Sequence, residues 1–110
     1  MIGVDIVCLE RLKDTYEQMA KRLLSERENV QLLTYIDKSC KISYVGGRFA
    51  AKEAYVKASG NKAVNFKTVE ILDDEEGKPH IFLEGTEIGE VSIAHDGYAI
   101  AVVNLTQGDK

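Results

Sequence analysis

The hydrophobic periodicity of the chain changes at Gly60, and this change constrains the fold more than any other feature. From Leu9 to Gly60, apolar residues recur at steps of three and four, which is typical of amphipathic helices. After Gly60 the chain is rich in β-branched residues and turn signals, which is typical of antiparallel hairpins. A short β-branched segment, residues 2–7, precedes the helical part and is predicted to be a strand. This order of elements predicts an α+β fold.

Three helices are predicted in the first half of the chain. The first covers about residues 10–24, which carry one apolar stripe. Ser25 is followed three residues later by Glu28, a capping-box pattern that predicts a second helix over residues 26–36. The third helix covers about residues 41–58, and a glycine just beyond its end suits a left-handed cap.

Two hairpins are predicted in the second half. Residues 64–72 are rich in Val, Phe, Thr and Ile, which predicts a strand. The polar residues 73–77 predict a turn, and residues 78–83 are predicted to be the returning strand. Residues 91–94 and 98–105 form the last pair, joined by a segment that contains Asp-Gly.

Composition limits the classes of function. The chain has 110 residues, which predicts a single domain over residues 1–110. The 14 basic and 18 acidic residues give a formal charge of −4, which argues against sequence-independent binding of nucleic acid.

Location and redox state follow from what the sequence lacks. No apolar run reaches the roughly 18 residues of a membrane helix, and the start does not resemble a signal peptide. Cys8 and Cys40 have no metal-site spacing, so we expect two reduced thiols in a cytoplasmic protein without membrane contact. The polar tail, residues 107–110, is expected to be loose.

Two carboxylates are candidates for chemistry. Asp5 interrupts an apolar strand, where it either bonds to nearby backbone N–H groups or binds a ligand. Glu53 shares the apolar stripe of the third helix with Phe49, and Lys57 lies one turn later. The simplest alternative is a surface pair between Glu53 and Lys57. If Asp5 and Glu53 meet, they need a cation, and oxygen ligands suit Mg²⁺.

His95 ends a third notable stretch, Ser-Ile-Ala-His at residues 92–95. Its imidazole either caps the hairpin turn or bonds to a phosphate or sugar of a ligand. The pair Gly46-Gly47 is not a phosphate loop, because no preceding strand and no Gly-Lys-Ser/Thr accompany it. These two glycines indicate close helix packing or the approach of a ligand to the backbone.

In this order, these stretches resemble the holo-acyl-carrier-protein synthase family, the short, single-domain type of 4′-phosphopantetheinyl transferase. The most specific signal is Arg-Phe-Ala-Ala-Lys-Glu-Ala at residues 48–54. The resemblance spans nearly the whole chain and rests on residues 2–7, 10–11, 47–54, 57–58, 60, 77–79, 91–95 and 98–99.

The resemblance implies the Mg²⁺-dependent transfer of phosphopantetheine from coenzyme A to a serine of apo-acyl carrier protein, releasing adenosine 3′,5′-bisphosphate. By the family pattern, Asp5 and Glu53 bind Mg²⁺. Glu53 also helps to deprotonate the serine, directly or through a water on the metal, while Lys57 contacts the phosphates and assists the leaving group. Coenzyme contacts are implied for Arg48, Lys57, Gly77, Lys78, Pro79, Ser92 and His95.

The family also implies a homotrimer with active sites between subunits. Docking of the acidic carrier is assigned to basic residues expected on the first helix, namely Arg11, Lys13, Lys21 and Arg22.

The chain departs from the family pattern in its loops and its charge. The segment 61–63 is shorter than the glycine-rich loop that the family usually has after this point, and Glu90 stands where histidine is frequent. Acidic residues also reduce the net positive charge of the predicted first helix. These departures motivate a second hypothesis, a non-catalytic domain of the same fold that binds carrier protein or nucleotide. A third hypothesis, a plain acidic α+β module, requires Glu53 to be exposed and far from Asp5.

Overall fold

The computed structural model describes residues 1–106, and the predicted loose tail lies outside the described residues. The architecture is α+β, as predicted. The strands are β1 (Ile2–Cys8), β2 (Val69–Asp73), β3 (Pro79–Leu83), β4 (Thr86–Glu87), β5 (Gly89–His95) and β6 (Tyr98–Leu105). The helices are α1 (Tyr16–Leu23), α2 (Glu26–Leu32) and α3 (Lys38–Ser59), with short 3₁₀ turns at Leu9–Leu12 and Phe66–Thr68.

The strands form two antiparallel sheets. The first sheet has the order β1-β6-β5, so the N-terminal strand pairs with the last one. The second sheet has the order β2-β3-β4. The Asp-Gly turn closes the β5–β6 hairpin, where Gly97 has a φ of +72°.

Helix α3 lies very close to β1, because small residues line their contact. A Cβ atom at Gly3 would overlap the carbonyl oxygen of Ala54 and lie 2.8 Å from the amide nitrogen of Ala58. Gly46 and Gly47 are buried against Leu9 and Ile93 side chains, so close packing accounts for this pair. The backbone of β1 and the centre of α3 are therefore brought within reach of each other's side chains.

The opposite face of the first sheet, which we call the open face, is apolar and exposed. Val4 pairs with Val102 and Ile6 pairs with Ile100, so their side chains form one continuous patch. The exposed fractions in this patch are 68% for Ile2, 47% for Val4, 60% for Ile6, 41% for Ile100 and 39% for Val102. An antiparallel sheet that meets water on one face normally places polar residues there.

The first predicted helix is wrong in its extent. Residues 9–12 form a 3₁₀ turn, and α1 begins only at Tyr16. Leu9 and Leu12 pack against Gly46 of α3, and this tertiary contact prevails over local helix propensity. Arg11 and Lys13 therefore lie before α1, whereas Lys21 and Arg22 lie in its last turn.

Other predicted boundaries also differ, since α3 begins at Lys38 rather than near residue 41 and β5 begins at Gly89 rather than at residue 91. The capping box at Ser25 and Glu28 is present, but α2 ends at Leu32, and the following Leu33 and Ile36 are exposed. The strand predicted over residues 64–72 begins at Val69, because the Asn65 side chain caps a 3₁₀ turn through the Lys67 amide. None of the helices within residues 1–106 is long and apolar enough to cross a membrane.

Candidate functional site

Asp5 and Glu53 line one open cavity of about 360 Å³, together with Arg11 and Phe49. Asp5 comes from β1, and Glu53 comes from the middle of α3, the helix that lies against this strand. Both residues are half-buried. The third hypothesis requires an exposed Glu53 far from Asp5, and this arrangement argues against it.

Lys57 pairs with Asp5 rather than with its helix neighbour Glu53. Its ammonium donates to Asp5 Oδ1 and to the Val4 carbonyl, both at 3.1 Å. The Lys57 side chain is 57% exposed and that of Asp5 is 19% exposed. The lysine is therefore held beside the acidic pair by an ion pair that solvent can reach.

The donor set of this cavity fits Mg²⁺. Among residues 1–106, no group of three or more His, Cys, Asp or Glu side chains is arranged to hold a metal ion. The two carboxylates match an ion that binds one or two such groups, with waters and substrate phosphates completing its shell, and the Cys8 thiol also lines this cavity. Asp5 and Glu53 could hold such an ion only with a ligand that supplies further oxygens.

Arg48 is fixed on another side of α3. It is five residues from Glu53, so the two side chains leave the helix about 140° apart. Its Nε donates to the Ile71 carbonyl at 3.0 Å, and its Nη2 donates to Asp73 Oδ1 at 2.7 Å. The guanidinium carbon lies 3.9 Å from the centre of the Tyr44 ring. These contacts orient a cation that is only 5% exposed.

Apart from Lys57, the predicted coenzyme residues divide between two neighbouring cavities. Arg48, Gly77, Pro79 and His95 line one of about 380 Å³. Lys78, Pro79 and Ser92 line the other, of about 550 Å³, so Pro79 belongs to both. Neither cavity includes Asp5, Glu53 or Lys57. Within one chain, the acidic residues and the predicted nucleotide-end residues thus face separate openings.

A charged cluster shapes the turn that carries Gly77 and Lys78. Asp74 Oδ1 accepts from the amide of Lys78 at 3.0 Å, and its Oδ2 lies 2.8 Å from His80 Nε2. The other ring nitrogen of His80 lies 2.8 Å from Glu87 Oε2. These two carboxylates raise the pKa of His80, with the hydrogen bond to Asp74 as the larger cause.

The predicted docking residues do not form one surface on one helix. Arg11 lines the cavity of Asp5 and Glu53, and Arg22 lines two other openings that also include Glu53. Lys13 pairs with Glu10 at 2.8 Å, which partly neutralises its charge. Lys21 is exposed on the last turn of α1.

Sequence reasoning did not single out Tyr44, Lys52 or Asp73. Tyr44, Arg48 and Lys52 lie at successive four-residue steps, so they share one side of α3 and face α2 and β2. Burial is the main cause that raises the pKa of the Tyr44 hydroxyl, which donates to the Glu28 carbonyl at 3.1 Å. The four-residue spacing of aromatic and basic residues beside the apolar stripe was the available signal.

Comparison with known proteins agrees with these features. A profile of the 4′-phosphopantetheinyl transferase superfamily matches residues 1–103. A holo-[acyl-carrier-protein] synthase of Anoxybacillus flavithermus is 43% identical over 93% of this chain and 91% of the relative. One from Listeria welshimeri is 42% identical over 91% of each chain.

Solved structures give the same result. The holo-(acyl-carrier-protein) synthase of Bacillus anthracis, in complex with coenzyme A (3′,5′-ADP), superposes with a TM-score of 0.84 at 37% identity, covering 94% of this chain and 93% of that one. The Helicobacter pylori enzyme in complex with coenzyme A has a TM-score of 0.79 at 33% identity, covering 96% of this chain and 100% of that one.

Proposed function

The chain belongs to the 4′-phosphopantetheinyl transferase superfamily, and we propose that it transfers the phosphopantetheine arm of coenzyme A to a serine of apo-acyl carrier protein. Its relatives are holo-[acyl-carrier-protein] synthases, and two solved neighbours are complexes with coenzyme A. The observation that carries the proposal is the cavity shared by Asp5 and Glu53, with Lys57 bonded to Asp5.

The proposed reaction is a displacement at phosphorus. The serine oxygen bonds to the phosphorus that carries pantetheine, the bond from that phosphorus to the bridging pyrophosphate oxygen breaks, and adenosine 3′,5′-bisphosphate leaves. Mg²⁺ held by Asp5 and Glu53 would neutralise charge on the pyrophosphate. Glu53 takes the serine proton as general base. Lys57, which solvent can reach, neutralises charge that develops on the leaving oxygen.

The nucleotide end of coenzyme A is assigned to the Arg48 cavity. A guanidinium has five N–H donors, and within residues 1–106 two of those of Arg48 bond to protein. Arg48 is only 5% exposed but lines this cavity together with His95, so we assign a phosphate of the ligand to its remaining donors. Lys78 and Ser92 line the neighbouring cavity through Pro79, so we assign the same end of the ligand to them.

A homotrimer with sites between subunits is supported by two features. The open face of the first sheet is an exposed apolar patch, which is typical of a protein interface. The acidic residues and the nucleotide-end residues of one chain also face separate openings. Light scattering of Ile6→Asp should show loss of the oligomer, whereas Val30→Asp, which changes an exposed apolar residue outside the open face, should retain it. A wild-type monomer would refute this part of the proposal.

Carrier docking is proposed for the basic residues around Glu53. Arg11 lines the acidic cavity, so Arg11→Glu should raise KM for the carrier more than KM for coenzyme A. Lys13→Glu is a matched control, because Lys13 already pairs with Glu10 and should show a smaller change. Equal changes in both KM values for Arg11→Glu would contradict the docking role.

The decisive experiment is to incubate the protein with apo-acyl carrier protein, coenzyme A and Mg²⁺, and to follow the carrier by mass spectrometry. One added phosphopantetheine group is expected. Glu53→Gln should abolish the product while leaving the circular dichroism unchanged, and the exposed Glu26→Gln serves as a control of equal charge change. Binding of carrier or coenzyme by folded protein without transfer would instead favour the non-catalytic hypothesis. A cytoplasmic location stays a prediction.

A further inference from the structure

Lys52 is a buried cation that the proposed reaction does not use. It is 0% exposed, although it immediately precedes Glu53 on α3. Its ammonium donates to the Leu23 carbonyl at 2.7 Å, the Phe66 carbonyl at 2.9 Å and Glu28 Oε1 at 2.6 Å. A lysine ammonium has three protons, so each of them has an acceptor.

Glu28 is buried to the same degree and has further partners. Its Oε1 also accepts from the Ser25 amide at 2.9 Å, which completes the capping box of α2. Its Oε2 accepts from the Ile71 amide at 2.7 Å, so the carboxylate also joins α2 to β2. The pair therefore connects α1, α2, α3, β2 and the 3₁₀ turn at Phe66.

The two carbonyls to which Lys52 donates belong to two elements that line the same groove, and we call these elements its walls. Leu23 ends α1, directly after Arg22, and Phe66 begins the 3₁₀ turn before β2. A cavity of about 360 Å³ between these walls is lined by Met19, Arg22, Leu23, Phe49, Glu53 and Phe66. The ammonium thus bonds to both walls, and Lys52 is the sequence neighbour of the residue proposed as general base.

We propose that the Lys52–Glu28 ion pair is a positioning unit, which sets the separation of the two groove walls and thereby places the carrier-docking end of α1 relative to Glu53. This inference rests on the proposed function, because it concerns the carrier side of that same site. The predicted nucleotide-end residues line other cavities, and Glu28 reaches Arg48 only through Ile71, so coenzyme binding should change less than carrier binding.

A purely stabilising role predicts something different. Replacing both members of a buried ion pair by neutral groups of similar size is often without cost to stability. If the pair only stabilised the fold, a folded neutral replacement would keep normal kinetics. If the pair sets the groove, that replacement stays folded but loses the two carbonyl contacts that hold the walls.

The test is the double variant Lys52→Met with Glu28→Gln. The amide introduced at position 28 is not charged. Its single oxygen can take the place of Oε1 and accept from the Ser25 amide, while the bond to the Ile71 amide is lost. We expect the double variant to fold. Its KM for apo-acyl carrier protein should rise about tenfold because a docking contact is misplaced, while its KM for coenzyme A should stay within about twofold. Hydrogen exchange should increase at Leu23 and Phe66 but not in the β5–β6 hairpin.

Two controls separate the outcomes. Ile81→Val removes a methylene from a core position outside the groove and should leave both KM values unchanged. Glu28→Gln alone keeps Lys52 and both carbonyl contacts, so its carrier KM should rise less. If the double variant does not fold, Lys52→Leu with Glu28→Gln replaces it, because leucine also lacks both carbonyl contacts. An unchanged carrier KM, or equal rises in both KM values, would overturn the inference. Absence of transfer by the wild type would instead reject the proposed function.

Discussion

Lys52 and Lys57 lie five residues apart on α3, and each pairs with a carboxylate from another element. Lys52 and Glu28 are both 0% exposed and lie 2.6 Å apart, whereas Lys57 is 57% exposed and lies 3.1 Å from Asp5. Burial lowers the pKa of Lys52, and the Glu28 carboxylate opposes this shift. The Lys52–Glu28 pair is therefore desolvated, while the Lys57–Asp5 pair stays partly hydrated.

The difference shows how one helix can serve two purposes. A buried pair is costly to break, because either partner alone would be an uncompensated charge. An exposed pair contributes little to stability and can change partners, because water and ligands compete for both groups. The buried lysine suits a fixed geometry, and the exposed lysine suits contact with a charged substrate.

The largest expected effect is on stability. Lys52→Met should lower the free energy of unfolding by about 3–5 kcal/mol, because it leaves Glu28 buried without its cation. Lys57→Met should change it by no more than about 1 kcal/mol. Urea unfolding at one protein concentration measures both. Similar decreases in the free energy of unfolding for the two variants would contradict the proposed difference between the buried and the exposed pair.

The second expected effect is on catalysis, where Lys57 is expected to matter more than Lys52. Lys57→Met should lower kcat by about 10²-fold, because charge on the leaving oxygen loses its neutralising partner. Lys62→Met, which removes an exposed lysine lining the same opening as Lys57, is the matched control and should stay near the wild type. Single-turnover transfer assays measure the step directly. A normal rate for Lys57→Met would remove this lysine from the mechanism.

The smallest effect concerns His80, a cation that can lose its charge. Because Asp74 and Glu87 raise its pKa above 6.5, the folded state binds this proton more tightly than the unfolded state. The stabilisation is complete below pH 6.5 and is lost as the pH rises through the folded-state pKa.

Titration by NMR between about pH 5 and 8 should place the His80 pKa above its ordinary value, and Asp74→Asn should lower it. The urea midpoint of the wild type should fall over this range relative to that of His80→Gln. A His80 pKa at or below its ordinary value would contradict the hydrogen bonds to both carboxylates.

Element types were predictable from the sequence wherever periodicity was strong. The capping box at Ser25 and the Asp-Gly hairpin were confirmed because their geometry is local. The break before Tyr16 was not predictable, because it depends on Leu9 reaching a glycine on α3.

For the candidate site, the sequence singled out Asp5, Glu53 and Lys57, and the structure brings them together. The alternative of a surface pair between Glu53 and Lys57 does not hold, because Lys57 pairs with Asp5, and helix spacing cannot show a strand packed alongside. The role of Lys52 was hidden for the same reason. Its three acceptors come from residues 14 to 29 positions away.

Gly3 carries no functional group, yet the spacing of the acidic residues depends on it. Any side chain there would collide with the carbonyl of Ala54, next to Glu53, and would push α3 away from the strand that holds Asp5. A deep mutational scan selected for activity should therefore rank Gly3 with the acidic residues in intolerance to substitution. Mutational sensitivity would mark this position as catalytic, although its contribution is only the absence of a methyl group.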